Sequence, residues 1–412
     1  MHVCSDECLF CLCLEEESLK DREKQNNVKR RVVVLGSTGS VGRQTMDVIR
    51  MHHIPVSGLC AMSDVQTLEE QIRAFSPPFC AMYDEAAARD LCVRIADTNT
   101  KVLQGSEGVC QLAALPDADL VFNSILGTAG LRPTLAAIEA GKDIALSNKE
   151  TLVTAGTIVM QRARRQGVKI LPVDSEHCAI WQCLNGENHA RIKRLWLTCS
   201  GGAFRGYSKE QLDHVTLEQT LAHPTWQMGA KITVDCATLM NKGLELIEAV
   251  HLFGVSANMV EIVLHPQSII HSMVEYIDNA VLAQMSVPDM RLCIQYALTA
   301  PDRLHAPTTP LDFFTCGALT FDRPDYEVFP LPLLARHAIE RGGNCPAVLN
   351  GANEAAVQAF LQGKISFAAL PQIVTKVCQD FPMIDAPDLE QIEQSDKLAR
   401  QEVVRLLETG VF

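Results

Sequence analysis

No apolar run in this 412-residue chain approaches the roughly 20 residues that a bilayer-spanning helix needs, so a soluble protein with no membrane partner is expected. Clustered positive charge is missing too. The formal net charge is −13, and a nucleic-acid surface needs Lys and Arg gathered against phosphates, so no nucleic-acid partner is expected. A phosphorylated small molecule stays open, because a few cations dominate locally inside a cleft. No fixed-period repeat is visible. A secretory signal is also lacking: the opening segment is too acidic for a transit peptide, and its apolar part is too short for a signal peptide. Without one, the sixteen cysteines point to a reducing cytosol. Twelve of them, among them Cys60, Cys92, Cys110 and Cys293, sit in apolar stretches where a thiol packs as a small hydrophobe. Cys4, Cys8, Cys11 and Cys13 crowd into the leader, residues 1–30, but no second ligand pair with zinc-finger spacing follows. That leader reads as an extra, solvated tail or short helix.

What is present begins with a strand, a turn and a helix. Arg31-Val32-Val33-Val34-Leu35 has the pattern of a buried strand, and Gly36-Ser37-Thr38-Gly39-Ser40-Val41-Gly42 follows at once. Apolar residues then return at helical spacing (Met46, Ile49) between Arg43 and Arg50. Such a turn sets backbone N–H groups and a helix N-terminus against a pyrophosphate, which points to a nicotinamide dinucleotide. Its G-x-x-G-x-x-G spacing is a variant of the usual fingerprint. Strands are expected from Val56 to Met62, from Leu120 to Phe122 and from Asp143 to Leu146, with a helix from Pro133 to Ala140. This alternation predicts an α/β fold whose N-terminal domain, 31–173, is a Rossmann-type parallel sheet. Strands from Leu195 to Thr198, Val260 to Leu264 and Val281 to Met285 predict a central α/β catalytic domain, 174–300, with Phe204 to Lys231 as a flap. Three prolines between Pro301 and Pro310 mark a linker, 301–325. A helical C-terminal domain, 326–412, follows, with stops at Gly342-Gly343 and Pro382.

Polar residues then cluster at strand ends. Past the second strand stand Ser63 and Asp64, with no Lys or Arg. In one reading Asp64 accepts from a ribose 2'-hydroxyl; in the other it caps the next helix, and Arg43 faces a 2'-phosphate. Asp174 and Glu176 alternate, so on an extended segment both face one side. Glu245 and Glu248 share a face of a helix expected from near Thr238, which also carries Asn241 and Lys242. Three hard oxygen ligands suit Mg2+ or Mn2+ rather than zinc, and separate exposed acids are the competing reading. Ser200-Gly201-Gly202 offers N–H groups and a hydroxyl to an anion. His265, Gln267, Ser268 and His271 follow a buried strand.

These residues fall within the motifs LGSTGSVG, LSNKE, LPVDSEH, SGGAFR, HPTWQMG, MNKGLELIEA, HPQSIIHSMV, VPDMR and LNGANE, in that order. On them the chain, from about residue 31 to 410, resembles the 1-deoxy-D-xylulose 5-phosphate reductoisomerase family. The resemblance implies an NADP-dependent oxidoreductase that rearranges and reduces 1-deoxy-D-xylulose 5-phosphate to 2-C-methyl-D-erythritol 4-phosphate in non-mevalonate isoprenoid synthesis. It implies NADPH, Mn2+ or Mg2+ (with Co2+ as a substitute) and a homodimer in a bacterial cytoplasm. By the family pattern Asp174, Glu176 and Glu245 ligate the metal. Ser175, Glu176, Ser200, His223, Cys236, Asn241, Lys242 and Glu245 hold the sugar phosphate. His177, His223, Trp226, Met228, Glu248 and His271 support the flap and catalysis. Gly36, Ser37, Thr38, Gly39, Ser40, Val41, Gly42, Asp64, Ser147, Asn148, Lys149, Glu150 and Gly229 meet the dinucleotide.

Two departures stand out. Cys236 replaces the family's serine in the phosphate pocket, and a thiol is a weaker donor. Ala61-Met62-Ser63-Asp64 replaces a segment that often carries glycine with Lys, Arg or Asn for the 2'-phosphate. A dehydrogenase acting on an unphosphorylated substrate predicts no metal requirement and leaves the acids unexplained. A dinucleotide-binding regulator predicts binding without turnover.

Overall fold

The computed structural model describes residues 30–222 and 228–410. The leader cysteines, His223 and Trp226 lie outside the described residues.

β1 (Val32–Leu35) is apolar throughout because both its faces are covered. Val32 and Val34 enter one core and Val33 and Leu35 another, and all four are fully buried. β2 (Val56–Ala61), β3 (Phe79–Met82), β4 (Lys101–Gln104), β5 (Leu120–Asn123), β6 (Asp143–Leu146) and β7 (Ile170–Pro172) complete a parallel sheet in the order β4-β3-β2-β1-β5-β6-β7. The strand order reverses between β1 and β5, and ligands bind beyond the strand C-termini at such a switch point. β3 and β4 were not expected. β3 carries no β-branched residue, and β4 sets only Val102 and Leu103 between exposed Lys101 and Gln104, so neither has a clear strand pattern.

The second sheet joins β8 (Ile192–Cys199), β9 (Val260–Leu264), β10 (Ile270–Tyr276) and β11 (Val281–Met285) in the order β11-β10-β8-β9. β8 and β9 are parallel; the other pairs are antiparallel. Helix Met240–Phe253 packs against β8 and β9. Its core continues into the C-terminal helices Leu331–Arg341, Cys345–Leu361, Ala369–Asp380 and Leu389–Glu408, as Leu197, Leu246, Leu349, Val374 and Val403 share one cluster. Helix Met290–Thr299 returns to the first sheet, where Ile294, Ala297 and Leu298 pack with Val32 and Leu59. Ala347 and Ile392 reach the sheet's other face. The C-terminal helices therefore back both halves of the molecule.

Two local expectations need correcting, at Asp174-Ser175-Glu176 and at Cys92. The segment Asp174-Ser175-Glu176 is not extended: Asp174 caps helix Ser175–Cys183, and its Oδ1 accepts from the Glu176 N–H at 3.3 Å. The helix expected from near Thr238 starts at Met240, where Leu239, with a left-handed φ of 60°, separates it from helix Ala230–Ala237. Cys92 is exposed rather than packed. No helix among the described residues is long and apolar enough to cross a membrane.

Candidate active site

One cleft of about 730 Å³ opens at the switch point and runs from Gly39, Ser40 and Val41 to Asp174, Glu176 and Glu245. The glycine turn shapes one end through its backbone. Gly36 takes a φ of 81°, and a methyl there would press on the Ser124 carbonyl. A methyl on Gly42 would overlap the Gly36 carbonyl, so Gly42 lets helix Ser40–Met51 sit close on β1. Gly39 caps that helix with no side-chain hydrogen bond, and its N-terminal N–H groups open into the cleft. Ser37, expected against the dinucleotide, instead donates its N–H to the Cys60 carbonyl at 2.9 Å and its hydroxyl to Gln71 Oε1 at 2.6 Å. It is fully buried and shapes the turn rather than facing a ligand. Thr38 gives its carbonyl to Arg43 Nε at 2.9 Å.

Asp64 turns out to be a helix cap. Its Oδ1 accepts from the Thr67 N–H at 3.1 Å, and its Oδ2 lies 3.4 Å from Arg43 Nη2. Neither residue lines the cleft. Ser147, Asn148, Lys149 and Glu150, just past β6, do line it. Asn148 caps helix Lys149–Gln166 through the Thr151 N–H at 3.0 Å. The Lys149 ammonium turns toward the acids, 2.7 Å from Asp174, 3.2 Å from Glu248 and 3.4 Å from Glu245.

The acids do converge. One oxygen each from Asp174, Glu176 and Glu245 lie within 4.8 Å of one another, and so do ligand atoms of Asp174, His177 and Glu248. Only the first set lines the cleft throughout; His177 and Glu248 stand behind it. An open set of carboxylates is what a catalytic cation requires, since one coordination position must reach substrate. Lys242 Nζ lies 2.6 Å from Glu176 and 2.5 Å from Glu245. Asn241 Nδ2 donates to Glu245 at 2.5 Å, and its buried Oδ1 has no hydrogen-bond partner among the described residues. Ser175 donates to Glu176 at 2.5 Å, and His177 Nε2 meets the Glu245 carbonyl at 2.9 Å.

Charge is in excess here. Asp174, Glu176, Glu245 and Glu248 face two lysines, Lys149 and Lys242. Burial and then Glu245 push the Glu176 carboxyl up to about 7. Burial also raises Glu245 and Glu248, and lowers His177. Burial works against Asp174 as well, but the Lys149 ammonium outweighs it and keeps that carboxylate ionised. Uncompensated carboxylates, hard oxygen donors and an orphaned amide oxygen fit a divalent cation.

Ser200 follows β8 in a turn where Gly201 and Gly202 have φ of 90° and 66°, and the Gly202 N–H donates to Ser200 Oγ at 3.3 Å. Ser200, Met228, Gly229, Cys236, Asn241, Lys242 and His271 all line the cleft. Burial pushes the Cys236 thiol well up, so it stays protonated. Burial likewise lowers His271 to about 4. Reasoning from sequence missed Lys231, Asp235, Asp289 and Arg291, which also line the cleft. Their signals were in hand: Lys231 and Asp235 are four apart on one helix and paired at 2.9 Å, and Asp289 and Arg291 both belong to the motif VPDMR.

A dinucleotide turn and an open carboxylate set on one cleft define a metal-assisted, nicotinamide-dependent oxidoreductase. Comparison with known proteins narrows the class. Residues 32–156 match a family model described as 1-deoxy-D-xylulose 5-phosphate reductoisomerase, and residues 170–253 and 285–402 match models of that enzyme's C-terminal domains. The chain is 51% identical over 377 residues to the 1-deoxy-D-xylulose 5-phosphate reductoisomerase of Acetivibrio thermocellus, covering 92% of this chain and 99% of that protein. It superposes on the Zymomonas mobilis enzyme in complex with NADPH with a TM-score of 0.87 and 41% identity, covering 92% and 99% of the two chains. A related structure in complex with NADPH, fosmidomycin and magnesium also gives 0.87, at 38% identity over 92% and 98%. The chain belongs to the 1-deoxy-D-xylulose 5-phosphate reductoisomerase family and is an oxidoreductase.

Proposed function

We propose that this enzyme converts 1-deoxy-D-xylulose 5-phosphate to 2-C-methyl-D-erythritol 4-phosphate with NADPH and Mg2+ or Mn2+, as a step of non-mevalonate isoprenoid synthesis. Co2+ would substitute for either ion. The observation that carries the reading is the continuity of the cleft from the glycine turn to Asp174, Glu176 and Glu245. Those three carboxylates would hold the cation. When bound, the cation supplies Lewis acidity to the ketone and hydroxyl oxygens of the sugar, and the nicotinamide supplies hydride.

The chain's own residues do the rest. Lys149 and Lys242 offset part of the acid charge and fix the carboxylates in place. Ser200, Cys236 and Asn241 would orient the phosphate end, away from the reacting carbons, so that its binding contributes alignment. Met228, with His223 and Trp226 of the same motif, would cover the sugar and exclude water. His271 is neutral at pH 7 and would offer a hydrogen bond rather than a charge. A homodimer is supported by β11, an edge strand that leaves Val281 and Leu282 exposed. A reducing cytoplasm fits the twelve free cysteines of the described residues.

The test is NADPH oxidation with deoxyxylulose phosphate after removal of metal and again with Mg2+ or Mn2+ restored. Oxidation should require both sugar and metal. Metal-independent oxidation, or none with any of the ions, would sink the reading.

A further inference from the structure

The motif LNGANE, Leu349 to Glu354, lies in the C-terminal helix Cys345–Leu361, and none of its residues lines the cleft. Its polar groups still connect to it. Asn353 is fully buried and donates from Nδ2 to Asp235 Oδ1 at 2.8 Å. The other oxygen of Asp235 lies 2.9 Å from the Lys231 ammonium. Lys231 Nζ also stands 3.1 Å from Glu150 Oε1, while Glu150 Oε2 accepts from Asn148 Nδ2 at 3.1 Å. The same Asn148 amide nitrogen lies 2.6 and 2.8 Å from the carbonyls of Ile125 and Gly127, its two protons shared among the three acceptors. Four segments distant in sequence are tied into one polar chain, which ends where Ile125 lines the cleft beyond β5.

Lys231 is the link between the two walls. It rises from helix Ala230–Ala237, which presents Cys236 on the sugar-phosphate side, and reaches helix Lys149–Gln166 on the dinucleotide side. Burial works against its charge, but Asp235 and Glu150 outweigh that and keep it protonated. Neutralising Asp235 does not require the Glu150 contact, because Lys231 and Asp235 already pair within one helix. The second contact fixes a distance.

We infer that Lys231 is a positioning residue for hydride transfer, setting the span between the dinucleotide wall and the sugar-phosphate wall, with Asp235 and Asn353 as its anchor. The inference rests on the function proposed above. Hydride moves only between closely aligned donor and acceptor carbons, so a slack span lowers the rate even when both ligands bind.

The experiment compares Lys231→Met, Lys231→Arg and the double variant Lys231→Met with Glu150→Gln, which removes one of the two carboxylates that lose the lysine and so eases folding. Melting temperature, NADPH affinity measured without metal or sugar, steady-state constants and the isotope effect with 4-deuterated NADPH are read on each. In Lys231→Met and in the double variant, kcat should fall roughly 10- to 100-fold, the scale of a displacement near 1 Å. The deuterium isotope effect on kcat should rise as hydride transfer becomes limiting, while KM for the sugar phosphate stays within about threefold. NADPH affinity should weaken because Glu150 loses its support, and Lys231→Arg should recover most of each parameter. A folded Lys231→Met or double variant with unchanged kcat and isotope effect overturns the inference, as does an arginine variant no better than methionine. A wild-type enzyme that does not oxidise NADPH with the sugar phosphate would overturn the proposed function, and the inference with it.

Discussion

Around the glycine turn the cleft is shaped by backbone; across from it, by charge. The turn draws Gly36, Gly39 and Gly42 from seven consecutive residues, and what they contribute is the absence of a side chain. The acid wall draws Lys149, Asp174, Glu176, Lys242, Glu245 and Glu248 from three helices, and each contributes a charge whose effect depends on the others. A fault in the first wall is a steric collision and is felt locally. A fault in the second shifts an electrostatic balance shared by six groups. The two walls should therefore fail differently when altered.

The largest effect is expected at Glu245. Glu245→Gln keeps the shape but removes the carboxylate shared by Lys242, Lys149 and Asn241. Metal affinity and kcat should each fall by at least about 100-fold, above the usual penalty for disturbing a ligand's supporting group. The metal-free protein should not lose stability in proportion, since four acids face two lysines and one fewer acid relieves repulsion. Calorimetric titration with Mg2+ and a urea melt without metal check both halves of this expectation. A variant that loses as much stability as metal affinity would show that this wall is held by contacts, not by charge balance.

The glycine wall should give a sharper division between neighbours. Gly42→Ala places a methyl on the Gly36 carbonyl and should cost about 3 kcal/mol of stability, as overpacking of a tight contact does. Gly39 has a φ of −72° and nothing nearer than 3.4 Å to a methyl, so Gly39→Ala should fold with a loss below about 1 kcal/mol. Its methyl instead points to the cleft end where the proposed function puts the dinucleotide, so NADPH affinity should drop while the melting temperature holds. Thermal melts paired with NADPH titration separate the two. Equal loss of stability in both variants would erase the distinction between packing and approach glycines.

What was legible in the sequence follows the same division. A strand, a glycine turn and a helix announce themselves within twenty residues, because every requirement is local. The acids were visible as residue types, and the family pattern grouped them, but their spacing was read on the wrong backbone. Asp174 and Glu176 come together through a helix cap, not an extended segment. Lys149 groups with Ser147, Asn148 and Glu150 on the dinucleotide side, and sequence alone did not show that its long side chain reaches the acids. Lys231 showed only its spacing from Asp235, and Asn353 showed no role, since their link arises only when groups 118 residues apart are packed together, as the fold brings Asp235 against Asn353. β3 and β4 were missed because β3 carries no β-branched residue and β4 sets only Val102 and Leu103 between exposed Lys101 and Gln104, whereas β1, equally short, is Val-Val-Val-Leu.

A pH experiment tests whether charge sensitivity belongs to the catalytic half in stability as well as in activity. Burial lowers His271 to about 4, below the 6.5 it has when exposed. Between these values the unfolded chain binds a proton that the folded one refuses. Stability from this group is therefore complete above pH 6.5, declines as pH falls toward 4, and changes no further below that. The decline is at most about 3 kcal/mol. Urea melts from pH 7 to pH 4, compared with His271→Gln, should show a shallower slope in the variant. Identical slopes would mean that His271 opens to solvent as readily folded as unfolded.

The smallest effect is expected at the pair that sits between the two principles, where charge meets the glycine wall. Arg43 and Asp64 are 3.4 Å apart with side chains 60% and 40% exposed, so the pair contributes little stability, within about 0.5 kcal/mol. Their interest is in cofactor choice. Asp64 has one oxygen engaged by its helix cap and the other by Arg43, which leaves it poorly placed to accept from a ribose 2'-hydroxyl. Arg43 is anchored by the Thr38 carbonyl and Thr67, at the position where a 2'-phosphate would be met. Arg43→Gln should lower the preference for NADPH over NADH roughly fivefold, the worth of an exposed charge pair of about 1 kcal/mol. Asp64→Asn keeps a capping side chain and removes the negative charge, so it should move the same ratio the other way. Dissociation constants for NADP+ and NAD+ measured on both variants decide it: shifts of the same sign, or none, would place the choice of cofactor elsewhere on the wall.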